Sequence, residues 1–309
     1  MMCSHPLTPY GPAGGFIAAS DLRCTRACGH RALAALLLFA PGTAQAHGEA
    51  ASGWSFDAFV LVPLLACLVL YLTGLARLWR RARRLRSTAA AWLLGWAVLA
   101  SALLSPLHQL GERMFTAHMV EHEAIMAIAA PLLVLGRPMA VALWAFPPGA
   151  RRRVARLAGR WRGPWRLLTH PAVATLLHGA AIWLWHLPPL FDATVGDLAL
   201  HRLQHLSFLL SALLFWWAML WRARPLVAVA DLFATMLHTG LLGTLLVVAP
   251  RVLYVAQTAE AQRYGLTPLE DQQLAGLVMW VPGGVIYAAA ALALLGRALH
   301  RGGRQHALA

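Results

Sequence analysis

The chain has 309 residues, 59% of them hydrophobic and 12% charged, with a formal net charge of +14 and a mean hydropathy of +0.60. That is too apolar for an ordinary soluble domain, and several windows of about 20 apolar residues point to an all-α polytopic membrane protein in a lipid bilayer. The basic excess does not indicate nucleic acid. All 26 basic residues are arginines set in short blocks between apolar runs, and no recognition motif accompanies them.

The N-terminus reads as a leader over residues 1–46. Arg23, Arg26 and Arg31 precede a short apolar core, Ala32 to Ala40, and then an A-x-A cleavage signal, Ala44-Gln45-Ala46. Cleavage after Ala46 gives a mature chain, 47–309, that begins at His47. Its free amine and ring nitrogen then form a possible copper(II) chelate. Three of the four cysteines leave with the leader, and Cys67 remains inside an apolar run, so no disulfide chemistry is expected.

Seven apolar segments follow, at about 57–76, 88–106, 114–136, 170–190, 199–221, 228–249 and 274–296. Each is about as long as a helix needs to cross ~30 Å of hydrocarbon. The segments 77–86, 137–166, 222–224 and 297–309 hold 19 arginines, whereas the opposite side and its span ends hold only Arg113, Arg202, Arg251 and Arg263. The arginine-rich side is expected to be cytoplasmic, which puts the mature N-terminus outside and the C-terminus inside. The block "RRRVARLAGRWRGPWR" at 151–166 reads as a positive-inside retention signal or as an amphipathic helix on anionic headgroups.

Against this apolar background the stretch "AHMVEHEAIM" at 117–126 is anomalous, because polar side chains at membrane depth are costly. His118 and His122 are four residues apart near the outer end of the third span, hence on one helical face, with Glu121 beside them and Glu123 turned away. His186 ends the fourth span on the same side, His201 and His205 begin the fifth at the same four-residue spacing, and Asp271 lies at the outer mouth of the seventh. His108 precedes the third span. Two histidines at i and i+4 form a two-point metal clip that a third ligand from another helix completes.

The predicted metal residues are therefore His118, His122, His186, His201 and His205. Glu121 is a further ligand or an orienting acceptor, and Asp271 either a ligand or the cap of span seven. Met119, Met126, Met236 and Met279 read as packing, His238 as paired within the bundle, and Trp54, Trp183, Trp185 and Trp280 as an interfacial belt. No nucleophile motif, phosphate loop or reactive cysteine suggests an enzyme.

In order along the chain, "SPLHQLGERMFTAHMVEHEAIMAIAAPLLVLGRP", "WLWHLPPLFDATV", "HRLQHLSFLLSALLFWW" and "DQQLAGLVMW" resemble the polytopic CtaG family of cytochrome c oxidase assembly proteins. The likeness runs from about Ser105 to Trp280. It implies a seven-helix protein of the bacterial inner membrane that serves maturation of caa(3)-type oxidases, with oxidase subunits as partners and copper handled on the outer face. The family pattern usually has glutamine where Glu121 stands. Two other classes remain open at this stage: a membrane cytochrome holding haem between histidines, and a transporter of copper or another small solute.

Overall fold

The computed structural model describes residues 53–79 and 85–306. The leader, its cleavage site and His47 lie outside the described residues. Among the described residues the fold is all-helical. Helix α1 spans Ala58–Leu78 and α2 Leu85–Leu104, followed by the short α3, Pro106–Gly111. Then α4 (Phe115–Glu123) runs through a π-helical turn (Ala124–Ala129) into α5 (Ala130–Leu135). Three short helices follow: α6 (Pro138–Ala142), α7 (Pro148–Arg160) and α8 (Arg162–Leu168). Next come α9 (Pro171–Trp185), α10 (Pro188–Gly196), α11 (Leu198–Trp221) and α12 (Pro225–Val248). Finally α13 (Pro268–Val278) passes through a second π-helical turn (Met279–Gly283) into α14 (Gly284–His306).

Six helical rods are long and apolar enough to cross a membrane, and they match six of the seven predicted segments. The fourth differs. Instead of a span over 170–190, α9 has 15 residues, about 22 Å at the α-helical rise. Prolines set its limits: Pro171 opens it, and Pro188 opens α10 just beyond it. Helix α8 meets α9 at a 65° bend, so a seventh span exists only if that bent pair is taken as one.

The rod Phe115–Leu135 is the central one. Buried residues make up 67% of its most apolar window, against 17–44% in the other five. The helix that carries His118, Glu121, His122 and Glu123 is thus the most buried one, so these side chains meet protein rather than lipid. It is packed by α2, α11 and α13. Outward faces carry exposed apolar side chains such as Val69, Leu176, Leu226 and Val285, as a lipid-facing surface requires.

Two glycines let α12 and α13 meet backbone to backbone. A Cβ on Gly243 of α12 would lie 2.6 Å from the Gly276 carbonyl of α13, and the reciprocal distance is 2.5 Å. Only glycine permits this backbone contact. The second π turn contains Pro282, whose ring cannot occupy a regular helix interior without displacing a hydrogen bond.

The arginine block 151–166 folds into α7 and α8, neither of which buries a residue. Trp54, Trp183 and Trp280 are exposed. Trp185 is not a belt residue: it is buried and donates to the Ser207 hydroxyl at 2.7 Å. Met119, Met126 and Met279 lie within the apolar core. His238 is paired as expected, its Nδ1 accepting from Trp183 at 3.3 Å.

Candidate metal centre

The site forms where α3, the start of α4 and the start of α11 meet. Helix α4 begins after an extended Met114 with no side-chain cap of its own. A cap comes from α13 instead. The Asp271 carboxylate accepts the backbone N–H of Phe115 at 2.8 Å and of Thr116 at 2.9 Å, and the Thr116 hydroxyl at 2.7 Å. That contact corrects the expectation that Asp271 caps the seventh span, whose own start carries a capping box made by Thr267 and Glu270. With both oxygens so engaged, Asp271 positions the helix that bears the histidines, and it belongs to neither of the donor groups described below.

On that helix, the i and i+4 spacing sets His118 edge-to-face against His122, their ring centroids 4.2 Å apart. The same spacing on α11 sets His201 edge-to-face against His205 at 4.5 Å. The two pairs face each other. His122 lies 5.1 Å and His118 5.6 Å from the His205 ring, and His118 is 5.5 Å from His201. His108 joins from α3, 5.6 Å from His201 and 5.9 Å from His205. Two sets of three histidines place one donor nitrogen each within 4.8 Å of the others: His108, His201 and His205, and His118, His122 and His205.

Hydrogen bonds orient two of the rings. The Nδ1–H of His118 donates to the Gly111 carbonyl at 3.1 Å, and that of His108 to Glu121 Oε1 at 2.8 Å. A carbonyl can only accept, so the His118 lone pair is on Nε2. Gln257 also donates to the Gly111 carbonyl, at 2.7 Å, tying the α3 turn to the loop before α13. The Nε2 atoms of His118, His201 and His205 and both nitrogens of His122 are buried without a hydrogen-bond partner among the described residues. Buried polar atoms are usually paired, and several orphaned imidazole nitrogens converging on one space fit the donor set of a metal ion.

Glu121 is fully buried and serves as the orienting acceptor; its Oε1 is 3.8 Å from His205 Nε2. Burial pushes the His108 imidazole down, but its hydrogen bond to Glu121 and that carboxylate's charge outweigh this and hold it above its ordinary value. Glu123 does turn away from the histidines, as expected, yet it is buried rather than lipid-facing. Its carboxylate packs against Gly283, where a Cβ would come within 2.9 Å of Oε2.

Of the predicted residues, then, His118, His122, His201 and His205 are brought together, with Glu121 beside them. His186 is not in either set of three. Its Nδ1–H donates to the Ile182 carbonyl at 2.7 Å, its ring packs on Phe191 and Phe208, and its Nε2 is buried without a hydrogen-bond partner among the described residues. His108 is the residue that the helical spacing could not assign, because it stands on a separate short helix. Its sequence signal was position alone, in the connection before the third span.

A family described as cytochrome c oxidase caa3 assembly factor (Caa3_CtaG) matches residues 69–301. Uncharacterized proteins of Mycobacterium bovis and Mycobacterium tuberculosis are each 31% identical over 175 residues, covering 54% of this chain and 26% of their own length. One of Mycobacterium leprae is 27% identical over 243 residues, covering 74% of this chain and 36% of its own. The chain thus spans about a quarter to a third of the length of these relatives. No solved structure matches. The chain belongs to the caa3 assembly-factor family and is a multi-pass bacterial membrane protein.

Proposed function

From that membership we propose that this protein serves maturation of a caa3-type cytochrome c oxidase by binding copper through its histidine cluster and releasing it to an oxidase subunit. The ion is cargo, so the chain needs a site that binds and lets go, not a catalytic apparatus. The observation that carries the reading is the convergence of buried, unpartnered imidazole nitrogens from α4 and α11. Imidazole suits copper. In the proposed topology the arginine-rich segments are cytoplasmic, the mature N-terminus is outside, and the cluster opens to the periplasm.

The same geometry favours a metal ion over haem. A haem clamp needs one imidazole on each face of a broad macrocycle. Here five of the six ring pairs among His118, His122, His201 and His205 have centroids 4.2–5.6 Å apart.

The test is genetic and chemical together. In a host lacking the endogenous gene, His118→Ala and His205→Ala chains that accumulate normally should leave the oxidase short of copper and of activity, and the unaltered chain should restore both. Full oxidase loading by both variants rules the reading out. On the purified chain, copper without a Soret band supports it, and a Soret band that shifts on reduction replaces it with the cytochrome.

A further inference from the structure

The two sets of three histidines are not equivalent, and they share a member. His108, His201 and His205 form the outer set: His108 lies on α3, outside the spans, with 14% of its side chain exposed, and His201 and His205 are each 8% exposed. His118 and His122, which complete the inner set with His205, are each 1% exposed. His205 is common to both sets and offers one ligand atom to each, and a nitrogen lone pair binds one ion at a time.

We infer that the cluster is a two-position relay for a single copper ion, in which His205 stays bound while the ion exchanges His108 and His201 for His118 and His122. The inference rests on the copper reading above and adds a path to it. In the transfer two copper–nitrogen bonds break and two form. The leaving and entering ligands are all imidazole nitrogens, so the oxidation state of the ion is unchanged and no electron moves. Retention of His205 spares the ion from passing bare through an apolar region, where an unpaired charge is most costly.

The spacing permits this. Donors within 4.8 Å of one another need to draw in by at most about 1.4 Å to reach the ~3.4 Å separation set by metal–imidazole bonds of ~2.0–2.1 Å. The supports differ as a relay requires. The inner His118 is held by a backbone carbonyl, Gly111 O, and is 1% exposed, whereas the outer His108 is held by the Glu121 side chain and is 14% exposed. The outer position is therefore built to exchange with solution or a partner, and the inner one to retain.

The experiment uses the full chain in detergent or nanodiscs, loaded with copper(I) and unloaded by a chromophoric copper(I) chelator. The unaltered chain should hold one ion. His201→Ala should still hold one ion, at the inner set, with loading and release slowed at least ~10-fold. His122→Ala should also hold one, at the outer set, with release at least ~10-fold faster. His205→Ala should weaken binding by more than the ~10–100-fold typical of losing a residue that only supports a ligand. His108→Ala and His118→Ala should repeat the outer and inner patterns, so that one misfolded variant does not decide the matter.

Two ions on the unaltered chain, or equal loss of binding in His201→Ala and His122→Ala, overturns the relay and leaves the copper reading standing. No copper on the unaltered chain overturns both. The predicted kinetic split together with normal oxidase maturation in a strain lacking the protein supports the relay and removes the assembly reading.

Discussion

The Asp271 carboxylate accepts the Phe115 N–H at 2.8 Å across 156 residues of sequence, so a side chain of α13 caps the helix that carries His118 and His122. Asp271 is fully buried, and its other oxygen takes the N–H and hydroxyl of Thr116. Asp271→Ala removes the cap and leaves two amides unpaired, at a cost of about 2–4 kcal/mol. Thermal unfolding in detergent should show a lower Tm, with copper affinity falling alongside it. If Asp271→Asn lost copper while keeping the Tm, Asp271 would be a ligand instead of a cap.

Glu121 holds His108 Nδ1 at 2.8 Å through one oxygen. An amide oxygen accepts that N–H as well as a carboxylate does, so Glu121→Gln should keep copper affinity within about 10-fold. Glu121→Ala, which frees His108 to rotate, should lose ~10–100-fold. Chelator competition on the purified variants separates the two. Equal losses in both would mean that the carboxylate itself binds the ion.

His178 lies fully buried at mid-helix in α9, facing Ser211 at 3.2 Å and Tyr287 at 3.4 Å. It joins three helices away from the cluster. His178→Ala should cost ~1–3 kcal/mol by removing both contacts and leaving the Tyr287 hydroxyl without this partner, while the copper content per folded chain stays at the unaltered value. Metal analysis of the monodisperse fraction, set beside its Tm, checks both halves.

The Gly243–Gly276 contact is backbone against backbone, so neither side can yield as a flexible side chain would. Gly243→Ala or Gly276→Ala should push α12 from α13 at ~1–3 kcal/mol or more. Because Asp271 sits on α13, the cap on α4 should loosen as well. Faster amide exchange at Phe115 and Thr116 in either variant is the expected sign. Unchanged exchange there would mean that the shift is absorbed elsewhere.

By itself the sequence determined the membrane class, six of the spans and the i, i+4 pairs. These follow from local quantities: twenty apolar residues are long enough to cross hydrocarbon, and 3.6 residues per turn puts His118 over His122 whatever surrounds them. The same local reasoning overextended the fourth span, since apolarity continues past Trp185 although Pro188 begins a new helix. Only the tertiary structure decided which residues meet. It brought His108 in from a separate helix, left His186 out of both donor sets, and turned Asp271 from a mouth residue into the cap of a helix far from it in sequence. Side-chain spacing along one helix is set by the backbone, but contact between helices is set by how closely they pack and at what rotation. Those depend on small residues such as Gly243 and Gly276 and on hydrogen bonds that span more than a hundred residues, which no local window contains.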